Sequence, residues 1–204
     1  MIYKPVKPPL LLRKWYGSFT WTKPSGDKSV YLTFDDGPIP GPTEFVLEQL
    51  EKFQAKATFF CIGNNVKKNP GIYAQILAAG HTVGNHTFNH LNGWQCNTQD
   101  YIADVEAASG VITSNLFRPP YGRIKKQQAF DLKSDYEIVM WDVLSYDFDT
   151  LVSPQKCYRN VINYVRPGSI VVFHDSLKAF ANLKYALPES LRFLKDEGYV
   201  FKAM

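Results

Sequence analysis

Residues 29–38 read SVYLTFDDGP, a run rich in β-branched and aromatic residues that ends in two adjacent carboxylates and a Gly-Pro turn. Along a strand, successive side chains point to opposite faces, so two neighbouring acids can share one site only where the strand stops. The stretch therefore predicts a strand that finishes at Asp35 and a turn that begins at Asp36, which lets both carboxylates converge. Further along, apolar runs near 57–62, 82–85, 137–142, 169–174 and 198–202, with a shorter one at Phe117 and Arg118, predict six more strands. Helix-like segments lie between them near 43–53, 70–79, 98–114, 125–133, 154–164 and 183–196. This alternation predicts an α/β domain with a parallel sheet, either open and doubly wound or closed into a barrel; periodicity does not choose between them.

The chain has 204 residues, enough for one substantial core, and we expect one domain over 29–204 preceded by an extension over 1–28 that packs on it. That extension carries Pro5, Pro8, Pro9 and Pro24 with Trp15, Tyr16, Phe19 and Trp21, a pattern of irregular chain lying on a surface. Hydrophobic residues at 45% and charged residues at 21% exclude a disordered or fibrous protein. The net charge of +4 comes without a block of like charges, so no nucleic-acid arm is expected. No apolar run approaches the roughly 20 residues of a membrane span, and no signal peptide is recognisable. We expect a monomer, and the sequence leaves the compartment open. Three cysteines cannot all pair: Cys61 reads as a buried strand residue, and Cys96 as an ordinary loop thiol rather than a metal ligand.

Polar residues gather where the strands should end, in FDDGP (34–38), GNHTFNH (84–90), FRPPYG (117–122), WDVLSYDFD (141–149) and VVFHDS (171–176). In parallel α/β folds, sites form at the carboxyl ends of strands. His86 and His90 are four apart, a spacing that would stack two imidazoles on one helical face, where they can share a metal. Two imidazoles and one carboxylate make a three-ligand zinc site with a position left open, the arrangement of catalytic rather than structural zinc. The doublet then divides its labour: one Asp ligates, and the other removes a proton from water at the open position. His81, off this spacing, reads as a structural histidine at a strand entry. Asp142 and Asp149 could each cap a turn or reach solvent, and Asp175 reads as structural.

In their order, TFDDGP, HTFNH, RPPYG, WDVLSYDFD and IVVFHD resemble the five motifs of the polysaccharide deacetylases, carbohydrate esterase family 4, over about residues 29–204. The resemblance implies a distorted (β/α) barrel of about seven parallel strands and hydrolysis of N-acetyl groups on a sugar polymer. It implies Asp36, His86 and His90 as ligands of zinc, with cobalt or nickel as substitutes, and Asp35 as general base beside Arg118. It further implies His174 as general acid oriented by Asp147, the Tyr121 backbone N–H as an oxyanion donor, and Val172 as the floor of an acetyl-methyl pocket. Pro120, Phe148 and Trp141 are expected to join the substrate-binding surface, with Phe148 standing where the family usually has Trp.

The expected partner is an N-acetylated glycan such as peptidoglycan or a chitin-like oligomer, a substrate class that suits the cell envelope or a secreted enzyme. Acetylxylan esterase activity, a small-molecule or lipid-linked sugar amidase and an inactive carbohydrate-binding protein are the alternatives. A glycoside hydrolase would need two carboxylates set across the sugar and would have little use for the histidine pair.

Overall fold

The computed structural model describes residues 5–24 and 26–204, so part of the 1–28 extension lies outside the described residues. Its strands are β1 (Ser29–Asp35), β2 (Ala57–Cys61), β3 (Thr82–Asn85), β4 (Leu116–Phe117), β5 (Glu137–Ile138), β6 (Val143–Leu144), β7 (Ser169–His174) and β8 (Val200–Phe201). Between and around them run α1 (Leu10–Trp15), α2 (Pro42–Lys52), α3 (Gly63–Lys68), α4 (Pro70–Ala78), α5 (Thr98–Ser109), α6 (Lys126–Leu132), α7 (Pro154–Ile162) and α8 (Phe180–Asp196). Seven strands follow one hydrogen-bonded path, β5-β4-β3-β2-β1-β7-β6, with β8 beside the start of β1. Every strand pairing is parallel, and the α/β architecture is the distorted, open barrel expected from the motifs.

β1 is buried along its whole length, as a central parallel strand must be when both faces are covered. Val30, Leu32 and Phe34 belong to the large core shared with α2, α7 and α8, whereas Tyr31 packs in a separate cluster with Phe60, Leu116, Val139 and Ile170. The alternation thus sends every second residue of β1 into the barrel, and Asp35 lies at the carboxyl end of that inward row.

Three local expectations are corrected. The 137–142 run is strand only at β5, Glu137–Ile138, and β6 follows beyond it at Val143–Leu144, because the chain between them lies at the barrel's seam. There Thr20 N–H donates to Ile138 O at 2.9 Å and Met140 N–H to Thr20 O at 2.8 Å, so the N-terminal segment occupies the strand edge. The 98–114 helix stops at Ser109, and the N-terminal stretch contains α1 rather than only irregular chain. Val6, Phe19 and Trp21 are buried, and Asp142 pairs with Lys7 at 3.0 Å and Arg13 at 3.3 Å. No helix among the described residues is long and apolar enough to cross a membrane.

Candidate active site

At the end of β1 the backbone turns left-handed at Asp36, φ 85, a conformation that costs an L-residue roughly 1–2 kcal/mol. That turn separates the doublet. Asp35 points into the barrel, where its Oδ1 accepts from Arg118 Nη1 at 2.7 Å, and Asp36 points to the histidines, its Oδ1 lying 3.3 Å from His90 Nε2 and 3.9 Å from His86 Nε2. The turn is held from behind: Asn65 Nδ2 donates to Asp36 O at 2.7 Å, and Gly37 N–H donates to Asp175 Oδ1 at 3.0 Å. A Cβ on Gly37 would fall 2.0 Å from Asp175 Oδ2, so only glycine fits there.

His86 and His90 do meet, with ring centroids 5.1 Å apart, but not on a helix. The chain leaves β3 and bends through Thr87 (φ 62) to His90 (φ 58), a loop that the four-residue spacing alone does not distinguish from a helical turn. Asp104 on α5 fastens it, accepting from Phe88 N–H and Asn89 N–H at 2.9 Å and from Asn89 Nδ2 at 2.6 Å. The sequence reading missed Asp104. Its signal is an acid on the buried face of α5 beside Tyr101, Val105 and Ala108.

The donor set fits a divalent ion. One nitrogen of each histidine and one Asp36 oxygen lie within 4.8 Å of one another. His86 Nδ1 lies 2.7 Å from Arg118 O, which as a donor bond leaves Nε2 as the lone-pair nitrogen. Burial pushes His86 down to about 4, so its imidazole is neutral and able to ligate. Burial would raise Asp36, but its hydrogen bond to His90 and the charges of His174, His86 and His90 carry it well below the usual carboxylate range. One carboxylate and two imidazoles suit zinc, and also cobalt or nickel.

Opposite stands His174, the last residue of β7 and the register partner of Asp35. Its Nδ1 lies 2.8 Å from Asp147 Oδ1, and its backbone N–H donates to Asp147 Oδ2 at 2.7 Å. Ser145 Oγ and Asn182 Nδ2 in turn hold Asp147, at 2.9 Å each. Burial alone would lower His174; the Asp147 charge and hydrogen bond, with smaller help from Asp36 and Asp35, raise it to about 9.

Both walls open on one cleft of about 360 Å3 lined by Asp35, Asp36, His86, His90 and His174, with Tyr121, Trp141, Phe148 and Val172 around them. Phe148 meets His174 edge-on at 4.8 Å between centroids, and the Tyr121 ring lies 4.6 Å from that of His90. Tyr121 is left-handed at φ 60, and Gly122 leaves room for Trp141, whose ring would be 2.5 Å from a Cβ there. Leu144, Ser176 and Lys178 also line the cleft and were not anticipated.

Arg118 is wholly buried below the cleft, bonded to Thr33 Oγ1, Val139 O and Met140 O as well as Asp35, and stacked 4.1 Å from the centre of Phe60. It positions Asp35 and does not line the cleft. Pro120 is buried as well and is absent from the lining, which corrects its expected place on the substrate surface. Asp142 faces Lys7, Arg13 and Ser169, not His174. His81 accepts from Ala57 N–H, and Cys96 lies outside the ligand cluster.

A family model described as polysaccharide deacetylase matches residues 22–138. A Bacillus cereus peptidoglycan-N-acetylglucosamine deacetylase is 35% identical over 207 residues, covering 94% of this chain and 95% of its own. The chain belongs to the polysaccharide deacetylase family. A Bradyrhizobium chitooligosaccharide deacetylase is also 35% identical, over 82% of this chain and 78% of its own. The crystal structure of a peptidoglycan N-acetylglucosamine deacetylase in complex with 4-naphthalen-1-yl-N-oxidanyl-benzamide aligns with a TM-score of 0.84 at 30% identity, covering 97% of this chain and 95% of that one. In this polysaccharide deacetylase, the segment matched by the family model carries the wall with the candidate ligands Asp36, His86 and His90, here the ligand wall, and Arg118 below it. The facing wall, with the candidate acid His174 and with Asp147, Phe148 and Val172, here the acid wall, lies beyond residue 138 and is spanned by the full-length likenesses.

Proposed function

We propose that the chain is a metal-dependent hydrolase that removes N-acetyl groups from N-acetylglucosamine-containing glycans, peptidoglycan or chitin-like oligomers. The observation that carries this reading is that Asp35 and the Asp36, His86 and His90 cluster face His174 with its Asp147 across one cleft. The printed names of the Bacillus and Bradyrhizobium relatives support an N-acetylated sugar as substrate.

Asp36, His86 and His90 would hold the ion, zinc first. When bound, such an ion polarises an acetamide carbonyl and lowers the pKa of water toward about 7. Asp35, with Oδ1 taken by Arg118, offers its other oxygen to the proton of the attacking water. Val172, Leu144 and Trp141 give the acetyl methyl an apolar wall. The Tyr121 backbone N–H would meet the oxygen on which negative charge develops, worth roughly 3–4 kcal/mol. His174, protonated up to pH of about 9, supplies the proton that the departing amine needs.

An acetylxylan esterase or a small-molecule sugar amidase would use the same groups, and nothing in the cleft favours either. An inactive binding protein would lack a ligand, base or acid, and each is present. The test is acetate release from chitooligosaccharides, peptidoglycan and acetylxylan, and formate release from formylated sugars, with zinc or cobalt added and metal content measured. We expect acetate from N-acetylated glycans only with metal bound. Acetate from acetylxylan alone, or equal release after metal removal, would overturn the reading.

A further inference from the structure

Lys178 lines the same cleft as the proposed ligands, on the short link between β7 and α8. The other charged groups of the cleft are matched: Asp35 by Arg118, His174 by Asp147, and Asp36 by the two histidines. Among the described residues no carboxylate pairs with Lys178, whose Nζ lies 6.0 Å from the Phe148 ring centre, at the outer limit of a cation–π contact. The link that carries it is anchored, because Asp175 holds both Gly37 N–H at 3.0 Å and Thr43 Oγ1 at 2.6 Å. The ammonium is therefore presented from a backbone fastened to the ligand wall, beside the ring that touches His174.

We infer that Lys178 selects glycans that carry a carboxylate next to the N-acetylated sugar, so that the cleft prefers an acidic N-acetylated glycan to a neutral chitin-type chain. This rests on the deacetylase reading above and narrows its substrate class. A neutral chain offers the ammonium only hydroxyl and amide oxygens. A carboxylate gives it an ion pair at the exposed edge of the cleft, an attraction that discriminates without taking part in the chemistry. Phe148 contributes by being apolar and lacking a donor of its own, which leaves the anion to Lys178.

The test compares two tetrasaccharides of equal length: chitotetraose, and the alternating N-acetylglucosamine and N-acetylmuramic acid tetrasaccharide with free lactyl carboxylates. Affinity is read by calorimetry and acetate release separately, for wild type, Lys178→Gln, Lys178→Glu and Lys178→Arg. We expect the ratio of acidic to neutral affinity to fall about fivefold in Lys178→Gln, to fall further in Lys178→Glu and to be restored in Lys178→Arg. Added salt should erode the ratio in wild type and leave it flat in Lys178→Gln. An unchanged ratio in Lys178→Glu, or an equal loss on both sugars, would overturn the inference. If the ratio responds as expected while neither sugar releases acetate, the selectivity stands and the hydrolase reading falls.

Discussion

On the ligand wall of the cleft, Asp36, Thr87 and His90 hold left-handed backbone at φ 85, 62 and 58, whereas on the acid wall His174 is the last residue of a buried, regular strand. The left-handed residue of the acid wall, Tyr146 at φ 63, sits behind the acid, next to Asp147. A group placed by irregular chain needs outside fastening, which Asn65, Asp104 and Asp175 provide. A group placed by a strand needs only its ring held, which Asp147 does with Oδ1 while its Oδ2 accepts from the His174 backbone N–H. The ligand wall should therefore be sensitive to distant support, and the acid wall to a single charge.

Outside the aspartate doublet and the two histidines, the largest expected effect is at Asp104. Asp104→Ala frees the 88–90 loop and should weaken zinc binding about 10- to 100-fold in a competition titration with a chromogenic chelator. An unaltered zinc affinity would mean that the loop holds its shape without α5. On the acid wall, Asp147→Asn removes the charge that lifts His174 to about 9, so the alkaline limb of the rate should move down toward about 6.5. At pH 8 this amounts to roughly tenfold or more in lost turnover, measured as kcat across a pH series. The stability that His174 gains from Asp147 is complete below about pH 6.5 and lost as pH rises through about 9, because its folded value is the raised one. The variant should therefore lose its stability deficit at alkaline pH. Phe148→Trp should change KM only about two- to threefold, since Val172, Leu144 and Trp141 already wall the acetyl pocket; a reversal of sugar preference would show that the smaller ring admits a different substrate. The smallest effect on the site belongs to the seam. Asp142→Asn should lower unfolding free energy by about 1–3 kcal/mol through Lys7, Arg13 and Ser169, with zinc affinity unmoved.

Much of this was legible in the residues. β1, β2 and β7 are continuous buried runs, short and rich in β-branched and aromatic residues, which points to parallel strands. The break at Asp36 followed from the impossibility of two adjacent acids sharing a strand face. What stayed hidden depends on contacts between distant segments. The 137–142 run looks like one strand, and Thr20, more than a hundred residues away, explains why its strand stops at Ile138. Helix α3, GNNVKK, has no apolar period to read. The histidine spacing suggested a helix because a loop with two left-handed residues brings positions four apart together equally well. Lys178 carries no local signal at all: its importance comes from lying in the cleft with no carboxylate beside it among the described residues.

The division of tasks between the two adjacent aspartates is tested by measuring zinc content and acetate release on Asp35→Asn and Asp36→Asn side by side. Each variant needs a melting curve, because Asp35→Asn leaves the buried Arg118 without its counter-charge, a loss on the order of 3–5 kcal/mol. Folded Asp35→Asn should retain about one zinc per chain while turnover falls roughly 10²- to 10⁴-fold. Asp36→Asn should lose its zinc on dialysis. Full zinc in Asp36→Asn, or near-normal turnover in Asp35→Asn, would contradict that division.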